Sequence, residues 1–342
     1  MEKLLNSLLL YEAPIGNVVM IKKLSISNFK SVRQLDIDCK KVNLFIGEPN
    51  TGKSNILEAI GLLSWSARVI GGDLTDYVRF QTTPDIFYDR LLDNAIKISV
   101  TGEPTAGVQI SFEDDKFLFQ GESGPGPFGN MNYDGRFSGG IYKKALRIKF
   151  FRFKYAGGHD DKEAGGLKPP NGKNLFSVVY SSNELRETMI EFFRKYKLRL
   201  VLKPQERKFE LQKQTGDLVF SFPYALTSDT LQRIIFYTVS IASNKDSVLV
   251  FEEPESNAFP YYTKYLGERI ALDQTNQFFI ATHNPYLLSA IIEKTRKEDV
   301  QVFITYFKDF QTWVKPLMPD QVTELMEADP FFNMDRFIEE EE

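Results

Sequence analysis

The sequence predicts an α/β fold with a mostly parallel sheet, an N-terminal antiparallel β portion, and an inserted β-rich region that contains one helix. Short, continuously apolar runs at residues 42–46, 248–251 and 278–281 are typical of strands buried on both faces, and helical patterns follow them. Between residues 75 and 222, strand-like stretches alternate with short spacers, which favours antiparallel pairing.

Composition excludes several classes of protein. The 342 residues are 42% hydrophobic and 26% charged, which is ordinary for a globular chain of roughly two domains. A single cysteine, Cys39, excludes an internal disulfide framework and a cysteine-based zinc site, and two histidines exclude a histidine-rich metal centre. No apolar run approaches the roughly 20 residues of a membrane helix, so we expect no membrane contact and a cytoplasmic location.

The first elements predict the beginning of the core domain. Residues 1–19 are expected to form an N-terminal extension, and residues 20–74 the first half of the core. Two short strands around a polar turn come first, then a buried strand at 42–46 that ends at Gly47. A helix follows over 54–66, because its apolar residues recur at helical spacing.

The middle of the chain is predicted to be an insert over residues 75–224. Its one clear helix begins at Asn183, and seven glycines between residues 121 and 140 predict a loop there. The second half of the core is expected at 225–320, where helices and buried strands alternate again. Residues 321–342 are expected to form an acidic tail, since the last four residues are all glutamate.

The segment after the first buried strand matches the phosphate-binding pattern G-x-x-x-x-G-K-[ST] at every fixed position. Glycines let backbone N–H groups approach phosphates, the lysine reaches the β- and γ-phosphates, and the serine hydroxyl is a ligand for Mg²⁺. The sequence therefore predicts a site for ATP and Mg²⁺. Its nucleotide-binding residues are Gly47, Glu48, Pro49, Asn50, Thr51, Gly52, Lys53, Ser54 and Asn55.

Two acids follow the buried strand at 248–251, at the edge of the sheet where ligands bind in open α/β folds. Glu252 is predicted to hold Mg²⁺ and Glu253 to polarise the attacking water. The strand at 278–281 ends in Thr282 and His283, and His283 is predicted to contact the terminal phosphate. The predicted catalytic set consists of Lys53, Glu253 and His283.

These segments resemble ABC-type ATPase heads of the RecF, SMC and OLD kind among the AAA-family ATPases. The stretches LSISNFKSV, GEPNTGKSNILEAI, VFEEPESNAFP and FIATHNPYLL occur in the order of that group and cover about residues 20–66 and 225–306. The resemblance implies a P-loop NTPase fold. It also implies that Glu253 is the catalytic glutamate, His283 the switch histidine, and residues 256–258 the D-loop.

The group also has a signature element at a helix start that meets the γ-phosphate of the opposite subunit. The matching stretch here is 226–233, in which Thr227 stands at the expected serine and Asp229 at the expected glycine. Thr227 and Ser228 are therefore candidate nucleotide contacts, although a carboxylate at Asp229 would repel phosphate. Alternatively, these residues only cap the helix. Gln81 is a candidate for the glutamine that senses Mg²⁺.

Residues 143–213 contain 18 lysines and arginines against 8 acids, interleaved with aromatics, whereas the whole chain has a net charge of −4. This region is a candidate DNA-binding surface, and the alternative is a solvated face. From the resemblance we expect a nucleotide-gated homodimer or higher homo-oligomer that senses DNA or an invader in anti-phage defence. No carboxylate-rich nuclease module follows the head, so we expect a separate effector protein. The alternatives are an ATP-binding scaffold with little turnover and a RecF-like DNA-repair clamp.

Overall fold

The computed structural model describes residues 19–68, 72–122, 124–154, 161–327, 329–332 and 334–338. Residues 1–18 of the expected extension and 339–342 of the acidic tail lie outside this part of the chain. The strands are β1 (Ile21–Phe29), β2 (Val32–Asp38), β3 (Val42–Ile46), β4 (Ile96–Gly102), β5 (Ala106–Glu113), β6 (Lys116–Gly121), β7 (Pro127–Met131), β8 (Phe137–Gly139), β9 (Ile148–Phe151), β10 (Arg199–Lys203), β11 (Lys208–Thr215), β12 (Leu218–Pro223), β13 (Val248–Glu252), β14 (Gln277–Ala281), β15 (Val300–Lys308) and β16 (Gln311–Pro316). The helices are α1 (Lys53–Ser66), α2 (Leu175–Ser181), α3 (Asn183–Arg194), α4 (Asp229–Ser243), α5 (Pro260–Leu272), α6 (Pro285–Lys294), α7 (Pro319–Glu327) and α8 (Asp335–Ile338).

A six-stranded sheet in the order β16-β15-β3-β14-β13-β9 forms the centre of the molecule. All of its pairs are parallel except β15 with β16. The predicted α/β fold with a mostly parallel sheet is therefore confirmed. The carboxyl ends of β3, β14 and β13 lie next to one another at one edge, and this edge carries the candidate site.

The apolar runs are continuous because their alternate side chains enter two different cores. In β3, Leu44 and Ile46 belong to one apolar cluster, and Phe45 belongs to the other. Leu249 and Val250 of β13 divide in the same way. Helices α2 to α6 cover one face of the sheet, and α1 with the antiparallel strands covers the other. Most positions of these strands are therefore apolar, since neither face meets water, and the buried polar exceptions Asn43 and Gln277 are hydrogen-bonded.

A seven-stranded antiparallel sheet in the order β2-β1-β4-β5-β6-β7-β8 packs on the α1 face. A third sheet, β10-β11-β12, is also antiparallel. The range 75–224, predicted as an insert with one helix, contributes strands to all three sheets and contains two helices, α2 and α3. The prediction of a single helix is therefore wrong, because α2 is a short apolar helix that ends directly before the cap of α3. Within it, β9 pairs in parallel with β13, so that Ile148 lies opposite Val248.

The prediction of a loop between residues 121 and 140 is wrong, because β7 and β8 lie in this stretch. The glycines here make room for an aromatic ring. A Cβ atom on Gly129 would lie 2.1 Å from the ring of Phe137, and Gly129 faces Gly139 across the strand pair. Phe137 in turn packs edge-on against Trp65 and Phe119. Glycine in a strand is tolerated where another group approaches the backbone closely.

One buried side chain connects the central and antiparallel sheets. The Gln277 amide accepts a hydrogen bond from the backbone nitrogen of Ile21 (2.7 Å) and donates to the backbone oxygens of Ile21 (2.8 Å) and Lys40 (2.7 Å). Gln277 begins β14 and Ile21 begins β1, so this amide joins segments from opposite ends of the chain.

None of the helices within the described ranges is both long enough and apolar enough to cross a membrane.

Candidate functional site

The three predicted segments meet at the carboxyl edge of the central sheet. β3 runs into the phosphate-binding loop of residues 47–54, β13 ends at Glu252, and β14 ends just before Thr282 and His283. A hydrogen bond joins His283 Nε2 to Glu253 Oε1. The sheet order brings these segments together because β14 lies between β3 and β13.

The loop backbone has conformations that depend on glycine. Gly52 has φ = 99°, and a Cβ atom there would lie 2.0 Å from Thr312 Oγ1 of β16. Gly47 has φ = 150°, and a Cβ atom there would lie 2.3 Å from the backbone oxygen of Thr305. The hairpin β15–β16 therefore packs directly against the loop. The Thr51 and Thr305 hydroxyls are 2.8 Å apart and hold the two together.

Lys53 lies beneath this loop at the first position of α1. It is 5% exposed, and its Nζ donates hydrogen bonds to the backbone oxygens of Gly47 and Glu48, each at 2.7 Å. Burial lowers the pKa of Lys53 to about 8, against the attraction of Glu253 and Glu48. The ammonium group is thus at the loop, within the electrostatic reach of Glu253.

The next two residues begin α1 in different surroundings. Ser54 is half-buried at the second position of the helix. The Asn55 amide donates to Ser31 Oγ (2.7 Å), which in turn is 2.7 Å from Thr312 Oγ1. The side chain of Asn55, predicted as a nucleotide contact, therefore anchors α1 to the turn between β1 and β2.

Glu253 turns away from its strand with φ = 42°, a conformation that is unusual for a residue other than glycine. Its backbone nitrogen donates to the Ala281 oxygen (3.0 Å), and Ser256 Oγ donates to its Oε2 (3.1 Å). The hydrogen bond with His283 lowers the pKa of Glu253 against the effect of burial, and the charge of Lys53 lowers it further. An ionised, partly exposed carboxylate here can accept a hydrogen bond from water.

Glu252 belongs to a charge cluster that the sequence did not predict. Arg152 Nε and NH2 donate to Glu252 Oε2 at 2.8 and 2.6 Å. Arg79 NH2 is 3.4 Å from Glu252 Oε1. Both arginines also bind Glu58, a fully buried residue of α1, at 3.1 Å from Arg152 and 2.6 Å from Arg79. Lys30 is the third cation on Glu58.

A weak sequence signal for this cluster exists. Glu58 is an acid within an otherwise apolar face of α1, four residues after Ser54, and Arg152 directly follows the apolar residues of β9. A charged residue among apolar ones is buried only with a partner. The sequence does not identify that partner, because the cluster joins five distant segments.

Gln81 is exposed, and its backbone nitrogen donates to Asp85 Oδ2 (3.0 Å). In this segment Arg79, two residues earlier, is the side chain that reaches Glu252. The role of Gln81 as a metal ligand stays a prediction.

The signature-like stretch forms the start of α4. Ser228 is the N-cap of this helix, and its hydroxyl accepts from the Leu231 nitrogen. Thr227 Oγ1 donates to the Tyr224 oxygen (2.7 Å), and Asp229 is 3.5 Å from Arg233 Nε. Thr230 Oγ1 donates to the backbone oxygen of Asn257 (2.7 Å), so α4 begins beside the loop that follows Glu253.

Two family descriptions match the chain. The AAA ATPase domain matches residues 20–216, which is more than half of the chain. The AAA domain described as a putative AbiEii toxin of a Type IV TA system matches residues 170–289.

Curated relatives match over short segments. The DNA replication and repair protein RecF of Leptospira interrogans serogroup Icterohaemorrhagiae serovar Lai (strain 56601) is 25% identical over 103 residues, which are 29% of this chain and 28% of that protein. RecF of Thermoanaerobacter sp. (strain X514) is 36% identical over 69 residues, which are 20% of this chain and 18% of that protein. The matches therefore span less than a third of the length of these relatives.

Solved structures match over most of the chain. An Smc head bound to the C-winged helix domain of ScpA has a TM-score of 0.54 and 16% identity, covering 89% of this chain and 99% of that one. An Smc head domain with an extended coiled coil, bound to the C-terminal domain of ScpA derived from Pyrococcus furiosus, has a TM-score of 0.52 and 13% identity. That match covers 90% of this chain and 98% of the other. At these identities the likeness concerns the fold alone, which is that of a P-loop NTPase head.

Proposed function

Because the chain belongs to the AAA ATPase domain family and has the fold of ABC-type heads of the RecF and SMC group, we propose that it binds ATP with Mg²⁺ and hydrolyses it. The observation that carries the proposal is the meeting of Glu253, His283 and Lys53 at one sheet edge. These residues belong to three separate segments of the chain, which follow β3, β13 and β14.

In this proposal, the loop of residues 47–54 binds the phosphates of ATP. Its backbone N–H groups and Lys53 Nζ donate to the phosphates, and Lys53 exchanges its bonds with Gly47 and Glu48 for bonds to phosphate oxygens. Thr227 and Ser228 would contact the phosphate of a second subunit. The first turn of a helix offers free N–H donors for this purpose.

The donor set fits Mg²⁺, which is usually bound by one or two protein oxygens together with substrate phosphates and water. Ser54 and Glu252 would hold the ion, and Gln81 is the further candidate. Glu252 would then give up its longer contact with Arg79 (3.4 Å) and keep its bonds with Arg152. No group of three or more His, Cys, Asp or Glu side chains that could form an all-protein metal site occurs within the described ranges. When bound, Mg²⁺ would neutralise charge on the phosphates.

Glu253 would accept a proton from the attacking water, or orient that water, as a carboxylate kept ionised by His283 and Lys53. The His283 side chain would lie between Glu253 and the terminal phosphate. Because Nε2 is already hydrogen-bonded to Glu253, the imidazole ring would connect the phosphate to the residue that orients water.

The test compares phosphate release by the wild type, Glu253→Gln and Lys53→Ala. We expect Glu253→Gln to retain ATP binding in calorimetry and to lose turnover about 100-fold or more, the range for a general base. Lys53→Ala should lose both. Glu293→Gln, at an exposed glutamate of α6, is the matched control and should turn over ATP like the wild type. Equal, near-background rates for the wild type and Glu253→Gln, with binding intact, would instead establish the scaffold alternative.

We further propose that ATP closes a homodimer across the start of α4, and that this dimer serves as a sensor with a separate effector in DNA-related or anti-phage defence. Arg233 beside Asp229 supports the closure, since it partly offsets the carboxylate that would repel phosphate. The scaffold alternative is favoured by the same Asp229. Light scattering of Glu253→Gln should show a dimer with ATP and Mg²⁺ and a monomer without them. A molecular mass that is the same with and without ATP would contradict the proposal that ATP closes the dimer.

A further inference from the structure

A second cleft lies away from the phosphate-binding loop, between the end of α3 and the starts of α4 and α5. Its volume is about 620 Å³, within the usual range for small-ligand sites. Ser228 and Thr230 line it at the start of α4. The rest of its wall consists of Lys195, Tyr196, Phe259, Tyr261 and Tyr262, which carry the chemistry considered below.

Lys195 is surrounded by aromatic rings. Its Nζ lies 4.4 Å from the centre of the Tyr262 ring, 4.9 Å from Tyr196 and 5.4 Å from Tyr261. The hydroxyl groups of Tyr196 and Tyr262 are 3.0 Å apart. Burial opposes the charge, but hydrogen bonds with Tyr262 and Tyr196 raise the pKa of Lys195. The ammonium is thus held by rings and phenol oxygens, and among the described residues no carboxylate forms an ion pair with it.

The surroundings add apolar faces and positive charge. Phe259 is 67% exposed and Tyr261 is 47% exposed, so two planar rings face solvent at the cleft. Lys197 is exposed in the turn that follows α3, and Arg199 is exposed at the first position of β10. The nearest acid on α3, Glu191, is paired with Arg194. Bases stack on such rings, and phosphates pair with cations beside them.

We propose that this cleft is a second nucleotide site, for a phosphate ester that carries a nucleobase. The phosphate lies on Lys195 and the Tyr196 and Tyr262 hydroxyls, and the base stacks on Phe259 and Tyr261. The chemistry suits a free nucleotide or one unit of an unpaired strand. A protein segment fits less well, because the cleft combines stacking faces with a cation that no acid neutralises. The cleft shares Ser228 with the surface proposed for the ATP-closed homodimer, but its wall contains neither Glu253, His283 nor a residue of the phosphate-binding loop, so ligand binding here is tested apart from ATP turnover.

The test uses the full chain carrying Lys53→Ala, so that the phosphate-binding loop does not contribute. Binding of a fluorescein-labelled dT12 strand is followed by anisotropy at 0.15 M salt, with dTMP as competitor and the dT12·dA12 duplex as comparison. Lys195→Met and Tyr261→Ala should each weaken strand binding roughly tenfold, the scale of one base stack. The matched controls are Lys144→Met, at an exposed lysine elsewhere in the basic region 143–213, and Phe310→Ala, at an 83% exposed ring. Both should stay within about twofold of the parent protein.

Competition by dTMP identifies a free nucleotide as a sufficient ligand, and binding of the strand without competition identifies the unpaired strand. Both outcomes support the site. Three results overturn it: neither probe binds, the cleft variants bind like the controls, or the duplex binds as tightly and Lys144→Met loses as much as Lys195→Met. Thermal unfolding verifies that each variant is folded. Phosphate release by Lys195→Met with Lys53 intact should equal that of the wild type, so a failure of the ATPase proposal is recognised separately.

Discussion

Glu255 is a carboxyl group that folding removes almost entirely from water, two residues after Glu253. It is 4% exposed, and its Oε1 accepts a hydrogen bond from Thr282 Oγ1. Its Oε2 has no hydrogen-bond partner in the described part of the chain. Burial raises the pKa of Glu255 from 4.5 to about 7, although the Thr282 hydrogen bond acts in the opposite direction. The folded protein therefore holds a proton here that the unfolded chain releases.

This proton makes stability depend on pH. Between pH 4.5 and about 7 the unfolded chain loses the proton first, so the free energy of unfolding should fall as pH rises and then level off. Relative to Glu255→Gln, which mimics the protonated form, the wild type should be equally stable at pH 4.5 and less stable by roughly 3 kcal/mol at pH 8. Urea denaturation at both pH values measures the difference. A constant difference would show that Glu255 does not titrate in this range.

Glu58 is the common partner of three cations, so replacing its carboxylate with an amide should strongly reduce the free energy of unfolding. In Glu58→Gln, Lys30 and the two arginines lose a buried counter-charge. We expect the free energy of unfolding to fall by about 3 kcal/mol, the cost of breaking a buried ion pair from one side. Chemical denaturation measures it, with Glu293→Gln as the exposed control. A loss no larger than that of the control would mean that the arginines find other partners.

At the residue scale, the sequence predicted the site residues that directly follow a buried strand or stand in a local motif. Glu252, Glu253 and His283 follow apolar runs, and Lys53 stands in a local motif, so each could be found from its neighbours in the chain. Arg79 and Arg152 could not, because their placement depends on which strands pair. Only the pairing of β9 with β13 brings Arg152 to Glu252.

Helices α5 and α6, which follow strands β13 and β14, approach closely at one glycine. A Cβ atom on Gly267 would lie 2.7 Å from Ala290 Cβ. Alanine usually stabilises a helix, but here it must push α6 away.

We expect Gly267→Ala to lower the free energy of unfolding by about 1–3 kcal/mol, the usual cost of overpacking. The double variant with Ala290→Gly should regain part of this loss, because the new methyl group then has space. Gly165→Ala, at a glycine with open space around it, is the control. If Gly267→Ala unfolds like the wild type, the two helices can separate without cost. Thermal and urea unfolding of the four proteins give the comparison.

At the element scale, local patterns predicted helices α1, α3, α4, α5 and α6 and the buried strands, but not α2, α7 or α8. The expected acidic tail contains most of α7 and all of α8, whose Leu325 and Phe337 are buried in the core. The helix predicted over 54–66 is observed at Lys53–Ser66. The glycine-rich strands β7 and β8 were missed, since their glycines serve a ring from a neighbouring strand rather than a turn. Such a use of glycine depends on a contact across strands, which the local sequence does not contain.

Gln277 connects two sheets, and this predicts an effect that spans the molecule. In Gln277→Leu the backbone groups of Ile21 and Lys40 lose buried partners. The free energy of unfolding should fall by about 2 kcal/mol, the penalty for buried polar groups left unpaired. Amide hydrogen exchange should quicken at the start of β1 more than in β5. Gln274→Leu, at an exposed glutamine four residues after Ile270, should change neither measurement. Equal exchange in both variants would contradict the link.

The order of strands in the central sheet has a consequence for how the protein is made. β3 ends at residue 46, but its two neighbours, β14 and β15, begin at residues 277 and 300. During translation, the phosphate loop leaves the ribosome long before either neighbour exists to hold it. Strand β3, which has apolar side chains on both faces, stays unpaired until β14 and β15 have been synthesised. An unpaired apolar strand is the kind of surface that chaperones bind.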